Sequence, residues 1–300
     1  MMPLLGELAA LGAALSWAFA SIFFTRAGQG LGSPVMNTAR LVVAAAALAT
    51  LHLLLTGAPW PVSLTADQTG WLLVSGLAAH VVGDGVLYMA YVRVGPRLSL
   101  LVGSLTPILS GLLAWALLGE ILSPMVMAGV ALTVGGVAWV VLERPNGRFS
   151  GGTRERRLGL VLALVSAIMQ AVGIVTARYV LAGGLPALSA VTVRIGLSAA
   201  VMMAWLLGRG QAPSGLHSLI SQREATRAMI GGALTGPIVG ATLSMVAMQA
   251  VQVGVASTLL SLPPVFLLPL SAVVYQERVS ARAALGTLVA IAGVALLLLR

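Results

Sequence analysis

The sequence predicts an all-α integral membrane protein, with ten transmembrane helices arranged as two inverted five-helix repeats. Three observations support this. Apolar residues fill 59% of the 300 positions and charged residues only 8%, whereas soluble domains are about a quarter charged. Apolar stretches of about 20 residues recur along the chain, each able to cross a bilayer core of about 30 Å as a helix. The second half also repeats the first without a gap: Ser104, Pro107, Glu120, Ser123, Gly129 and Gly136 return as Ser261, Pro264, Glu277, Ser280, Gly286 and Gly293. Such self-similarity decides the fold before any local detail.

The expected spans are 4–25, 35–55, 71–92, 99–118, 124–142, 158–180, 186–208, 228–249, 255–275 and 281–299. Turn residues part them: Gly28 to Pro34, Gly57 to Gly70, Gly95-Pro96, Ser123-Pro124, Gly183 to Pro186 and Gly208 to Gly215. The first span lacks the basic start of a signal peptide, and its Ser16 aligns with Ser166 of an internal helix, so it is expected to be retained. The first repeat is expected over 1–142, a polar linker over 143–157 and the second repeat over 158–300. Earlier positions match more loosely, Thr38-x-Arg40 with Thr192-x-Arg194.

Five helices per repeat is an odd number, so the second copy enters the membrane from the opposite side. Repeats inverted in this way place a site near the midplane, between the halves. Arginine sets the orientation. One set of connections holds Arg26, Arg93, Arg97, the cluster from Arg144 to Arg157, Arg209, Arg223, Arg227, Arg278 and Arg282, and the opposite set has little beyond Arg178 and Arg300. The first set is therefore expected in the cytoplasm and both termini outside.

Composition also excludes functions. There is no cysteine, so disulfides, thiolate metal sites and thiol chemistry are ruled out. All 17 basic residues are arginine, a habit of a bacterial genome. The net charge of +9 falls in loops that face anionic lipid, and no nucleic-acid partner is expected. No metal-binding His-Glu-x-x-His exists, and no cofactor or metal is expected.

The run Ser-Leu-Thr-Pro107, Leu-Leu-Gly-Glu120, Gly129 and Gly135-Gly136, with its partner Ser-Leu-Pro-Pro264, Tyr-Gln-Glu277, Gly286 and Gly293, resembles the EamA-type repeat of the drug/metabolite transporter superfamily. It is present twice and covers nearly the whole chain; Ser16-Trp17 and Arg40 also fit its pattern. The resemblance implies ten helices, secondary transport and export of amino acids or other small metabolites. It also implies cytoplasmic termini, against the arginine count.

The candidate site residues follow from charge and spacing. His80, Asp84, Tyr88 and Tyr91 are four, four and three apart and so share one helix face. A carboxylate at mid-span costs about 2.5–3.5 kcal/mol on insertion scales, which favours a wet cavity, a partner or protonation. The pair His80 and Asp84 then either relays protons or contacts a substrate amino group; the alternative is a structural bond between turns. The repeat counterparts are Pro237 and Ala241, so the feature belongs to one half. Arg40 and Arg194 lie inside matching helices as snorkelling charges, gate supports or contacts for a substrate carboxylate. Glu120 and Glu277 end their helices as interfacial caps or loop anchors. Pro107 and the pair Pro263-Pro264, with Pro269, are expected to interrupt equivalent helices, a pointer to a transport site. Trp17 and Gln170, and more weakly Trp115, Gln249 and Gln252, complete the substrate-binding candidates.

The expected partners are a small-molecule substrate, protons and membrane lipid. A multidrug or lipophilic-cation exporter of the same fold is the alternative. An intramembrane aspartyl hydrolase needs a second aspartate in a helix, and the only other one, Asp67, is expected in a loop.

Overall fold

A computed structural model describes residues 3–142, 153–267, 270 and 281–298, and among these every regular element is helical. Pro269, Glu277 and positions 143–152 of the expected linker lie outside the described residues. Among the described residues six helices are long and apolar enough to cross a bilayer: Leu4–Leu31, Ser33–Thr56, Ala66–Tyr91, Thr153–Ala182, Ala187–Gly208 and Arg223–Ala250. Shorter apolar helices at Thr106–Leu118, Pro124–Trp139, Val253–Leu267 and Leu285–Leu297 stand where the other four spans are expected.

Local chemistry sets the helix ends. Gly32, at φ 75°, separates α1 (Pro3–Leu31) from α2 (Ser33–Thr56), and Pro34 sits in the first turn of α2, where no N–H is needed. Gly57, at φ 81°, closes α2 with its N–H on the Leu53 carbonyl. A capping box opens α3 (Ala66–Gly76): the Thr65 hydroxyl accepts the Gln68 N–H, and the Gln68 side chain accepts the Thr65 N–H.

From α3 the chain passes through a π-helical turn, Leu77–Gly83, into α4 (Asp84–Gly103). The second repeat does the same, from α10 (Arg223–Ala233) through Leu234–Gly240 into α11 (Ala241–Ala250). Both wide turns occupy the same repeat position. In each, the next N–H, from Asp84 or Ala241, reaches five residues back to Ala79 or Gly236. Pro237 accounts for the second, since it has no N–H to continue the α pattern. The first has no proline; side chains from other helices bind its carbonyls instead.

The remaining helices are α5 (Thr106–Leu118), α6 (Pro124–Leu142), α7 (Thr153–Ala182), α8 (Ala187–Gly208), α9 (Ala212–Ser221), α12 (Val253–Leu260) and α13 (Ala281–Leu298). The α9 helix occupies a segment expected to be a turn; it exposes Leu216 and Ile220 as an amphipathic surface helix. The prolines also differ from expectation. Pro107 starts α5 rather than interrupting a helix, and the breaks come just before, at Ser104-Leu105 and at the equivalent Ser261-Leu262. A proline is tolerated best in a first turn, which is why the break precedes it.

Gly95-Pro96 falls within the bounds of α4 instead of ending a helix. The expected reversal is still present in the path of the chain. Along α7, Gly173 meets Ala79, Gly83 lies by Gln170, and Gly159 meets Val94. The chain then returns, so that Thr106 reaches the Ala167 carbonyl and Glu120 reaches Arg178.

The two repeats interleave instead of forming separate bodies. The α1 helix lies along α10, the second π-turn and α11, while α7 lies along α3, the first π-turn and α4. Equivalent helices also pair directly: α2 with α8, α5 with α12, and α6 with α13. The last pair runs antiparallel through glycines, Gly129 facing the Gly293 carbonyl and Gly136 facing Gly286. A Cβ at Gly136 would fall on the backbone of Ala290 and the Gly286 carbonyl. Small residues permit such close backbone approach where lipid supplies no hydrophobic drive. Gly136→Leu is therefore expected to force α6 and α13 apart and cost about 1–3 kcal/mol. Thermal unfolding in detergent checks this, with Gly135→Leu, where a Cβ meets open space, expected to change little.

Candidate functional site

Where the repeats meet, α1, α4, α7, α8, α11 and α12 enclose a cavity of about 210 Å³. Most of the expected site residues line it: Trp17, His80, Asp84, Tyr88, Tyr91 and Gln170, with Arg194, Pro263 and Pro264. Four do not. Arg40 lies directly behind Asp84, Pro107 is buried at the start of α5, Glu120 sits at the far end of α5, and Glu277 is outside the described residues. Trp115, at 62% exposed, faces outward and has no part in the cavity.

Asp84 is the centre of the polar wall. Its Oδ2 accepts from Arg40 Nη2 at 2.5 Å and lies 3.1 Å from His80 Nδ1; its Oδ1 accepts from Gln170 Nε2 at 2.8 Å. Arg40, at 0% exposed, also donates through Nε to Asn37 Oδ1 at 2.8 Å. Its guanidinium carbon lies 5.3 Å from the ring centroids of both Phe24 and Tyr88, a desolvated cation–π arrangement. Charge and aromatic faces together answer a guanidinium that lipid would otherwise exclude.

The π-turn builds this geometry. Because Asp84 N–H bonds Ala79 instead of His80, the His80 carbonyl is displaced towards α2, where Asn37 Nδ2 donates to it at 3.0 Å. Gln170 Nε2 also reaches the Ala79 carbonyl at 3.3 Å. The wide turn is thus held by the side chains that hold Asp84. The second π-turn instead cradles Trp17, whose ring lies against Gly236 and Gly240.

Arg194 enters the cavity wall differently. It is 4% exposed; Gly76 lies against its Cγ and Gly173 beside its Nη2, so the two glycines clear its path. Its Nε is buried without a hydrogen-bond partner, and among the described residues no carboxylate comes within ion-pair reach. His80 Nε2 is likewise buried without a partner.

A second charged cluster lies at the other end of α7. Arg178 Nε donates to Glu120 Oε1 at 3.1 Å, and its Nη1 donates to the Met248 and Gln249 carbonyls at 2.7 and 3.2 Å. Glu120 Oε2 accepts the Val253 N–H at 2.8 Å, capping α12. Two side chains thus tie the end of α5, in the first repeat, to α7, α11 and α12 in the second.

Sequence reasoning missed Asn37 and the role of Arg178. Asn37 sits three residues before Arg40 and so on its face, a spacing that marks it as a partner. Arg178 stands nearly alone among connections otherwise poor in arginine, and that exception was the available signal.

No curated protein matches the chain. A crystal structure of another protein superposes with a TM-score of 0.72 over 97% of this chain and 95% of that one, at 19% identity; it speaks to the fold alone. The model of the EamA-like transporter family matches residues 4–142 and again 157–299. Two matches of this extent, with the apolar helices above, make the molecule a multi-pass integral membrane protein that transports a small molecule. The chain belongs to the EamA-like transporter family, as a protein built from two EamA repeats.

Proposed function

We propose that the protein is a secondary transporter of ten spans in two inverted repeats, carrying small metabolites, amino acids foremost, outward by alternating access. The observation that bears most weight is the cavity between the repeats, largely apolar but with Asp84 and Arg194 in its wall, and with a charged link at one end. Its lining runs from Trp17 in the middle of α1 and Asp84 at the start of α4 to Phe24 and Tyr91, further along the same helices towards the arginine-rich connections, and on the other side it includes Met248. The Glu120–Arg178 link ties the helices together at the opposite end of α7. In this reading the path opens on the arginine-rich side and is tied on the other, which is half of an alternating-access cycle.

Inversion has its own support. The equivalent positions Val94 and Val251 lie near opposite ends of α7, as inverted repeats would require. Val94 packs on Gly159 near the start of α7, and Val251 adjoins the segment to which Arg178 donates, near its end. The positive-inside rule then places the open side of the cavity in the cytoplasm and the link outside. A bacterial plasma membrane fits the arginine-only composition.

The cavity volume favours a metabolite. At about 210 Å³ it falls below the roughly 300–1,000 Å³ of sites for drug-sized ligands. A lipophilic-cation exporter remains the second reading because Trp17, Phe24, Tyr88 and Tyr91 give the cavity an aromatic wall. Counterflow of labelled L-amino acids and of a lipophilic cation in proteoliposomes, with and without a pH gradient, separates the two. Preference for the cation would overturn the metabolite reading.

Protons couple through His80 and Asp84 in this scheme. Asp84→Asn removes the anion that answers Arg40, which is expected to cost about 3–5 kcal/mol as a broken buried pair. Transport should be lost and the thermal midpoint lowered. His80→Asn keeps that pair and is expected to flatten the pH dependence of counterflow around the ordinary histidine range; an unchanged pH profile in both variants removes the coupling role. The outer link is tested in the cysteine-free chain by placing Ser257→Cys in the cavity. Adding Glu120→Gln should raise labelling by an impermeant thiol reagent several-fold from the link side, and equal labelling argues against a gate there.

A further inference from the structure

We propose that Arg194 is the carboxylate receptor of the cavity, and that the protein selects small organic anions, with amino acids admitted through their carboxylate and not their ammonium group. The inference rests on the transporter function proposed above and concerns the same cavity.

The argument begins from charge. Around the cavity two guanidinium groups, Arg40 and Arg194, face a single carboxylate, Asp84, among the described residues. Arg40, His80 and Gln170 already bind Asp84. Arg40 is sealed behind it between two aromatic rings and does not reach the cavity. Arg194 alone presents a guanidinium on the wall without an ion-pair partner, buried to 4% exposure and with Nε lacking an acceptor. A charge without a direct partner at such depth is costly, and an anionic ligand is what offsets it. The planar guanidinium fork suits a carboxylate.

The repeat register supports the same conclusion independently. In the first repeat Arg40 is answered by Asp84. In the second, Arg194 occupies the Arg40 position, but the residue equivalent to Asp84 is Ala241. Ala241 and Arg194 both line the cavity, so the wall retains the arginine of the pair and omits the acid. The substrate carboxylate thus completes in the second half the ion pair that the first half makes for itself. Neighbouring hydroxyls do not compete for this role. Ser244 and Ser257 donate to the Gly240 and Gly254 carbonyls, leaving only acceptor lone pairs for the cavity.

A matched ligand set tests the proposal. The purified protein is titrated calorimetrically with L-leucine, 4-methylpentanoate and 3-methylbutylamine, which share a side chain and differ only in charged groups, followed by equivalent sets built on the other apolar L-amino acids. The two acids of a set are expected to bind with comparable affinity, and the amine at least roughly tenfold more weakly, a difference of about 1.4 kcal/mol or more. Arg194→Gln should weaken both acids by roughly tenfold or more, with Arg194→Lys intermediate. Ala241→Asp should supply the missing partner internally, weakening the acids while raising thermal stability. Amines binding as well as acids, or acid affinity unchanged in Arg194→Gln and Ala241→Asp, overturns the proposal. Binding of the deaminated acids without the amino acids refutes the amino-acid reading and leaves the anion site standing. If no carboxylate binds the wild type, the anion site is refuted whatever the variants do.

Discussion

A guanidinium held inside a membrane must be answered, and the interior of this protein is organised around the answer given to Arg40. Asp84 supplies the charge, Asn37 the fixed acceptor, and Phe24 and Tyr88 the ring faces. Each comes from a different turn or helix, so satisfying one side chain locks α1, α2 and α4 together. Gln170 extends the arrangement to α7 and thus to the other repeat. Polar bonds between helices take on a share of the organising role that apolar burial has in water, because lipid tails give apolar side chains no reason to prefer one another.

Backbone features repeat more faithfully than side chains. The wide turns at Leu77–Gly83 and Leu234–Gly240 match, as do the breaks at Ser104-Leu105 and Ser261-Leu262. The chemistry placed on them does not match: His80 and Asp84 in one copy, Pro237 and Ala241 in the other. The two repeats share a backbone scaffold, and their side chains diverge where they line the cavity. Non-helical hydrogen bonding at membrane depth persists only where protein or a cavity receives it. At the first wide turn Asn37 and Gln170 are the recipients, and at the second the Trp17 ring packs on Gly236 and Gly240.

Much of this was legible in the sequence, for reasons that are themselves physical. The apolar runs and the ungapped repeat gave the helices, and the face shared by His80, Asp84, Tyr88 and Tyr91 required only helical periodicity. What was not legible depended on distant packing. Arg40 and Asp84 are 44 residues apart, and Arg178 and Glu120 are 58 apart; no local pattern pairs them. Glu120 reads as a cap from its place beside Ser123-Pro124, but the helix it caps belongs to the other copy. The first π-turn has no proline to announce it, since side chains on other helices sustain it. Trp115 was drawn towards the cavity by residue type alone, and nothing in its own helix fixes which way it faces.

The π-turn before Asp84 amounts to one surplus residue in the helical count. Each residue of an α-helix advances the chain by about 100° around its axis, so removing any one position from Leu77–Gly83 would restore ordinary winding and swing everything downstream by about that angle. Tyr88 and Tyr91 would then leave the cavity together, without a single aromatic having been substituted. Length, as much as residue identity, is therefore under constraint in this segment. A homologue shorter by one residue there would need a different cavity-facing set on its third span.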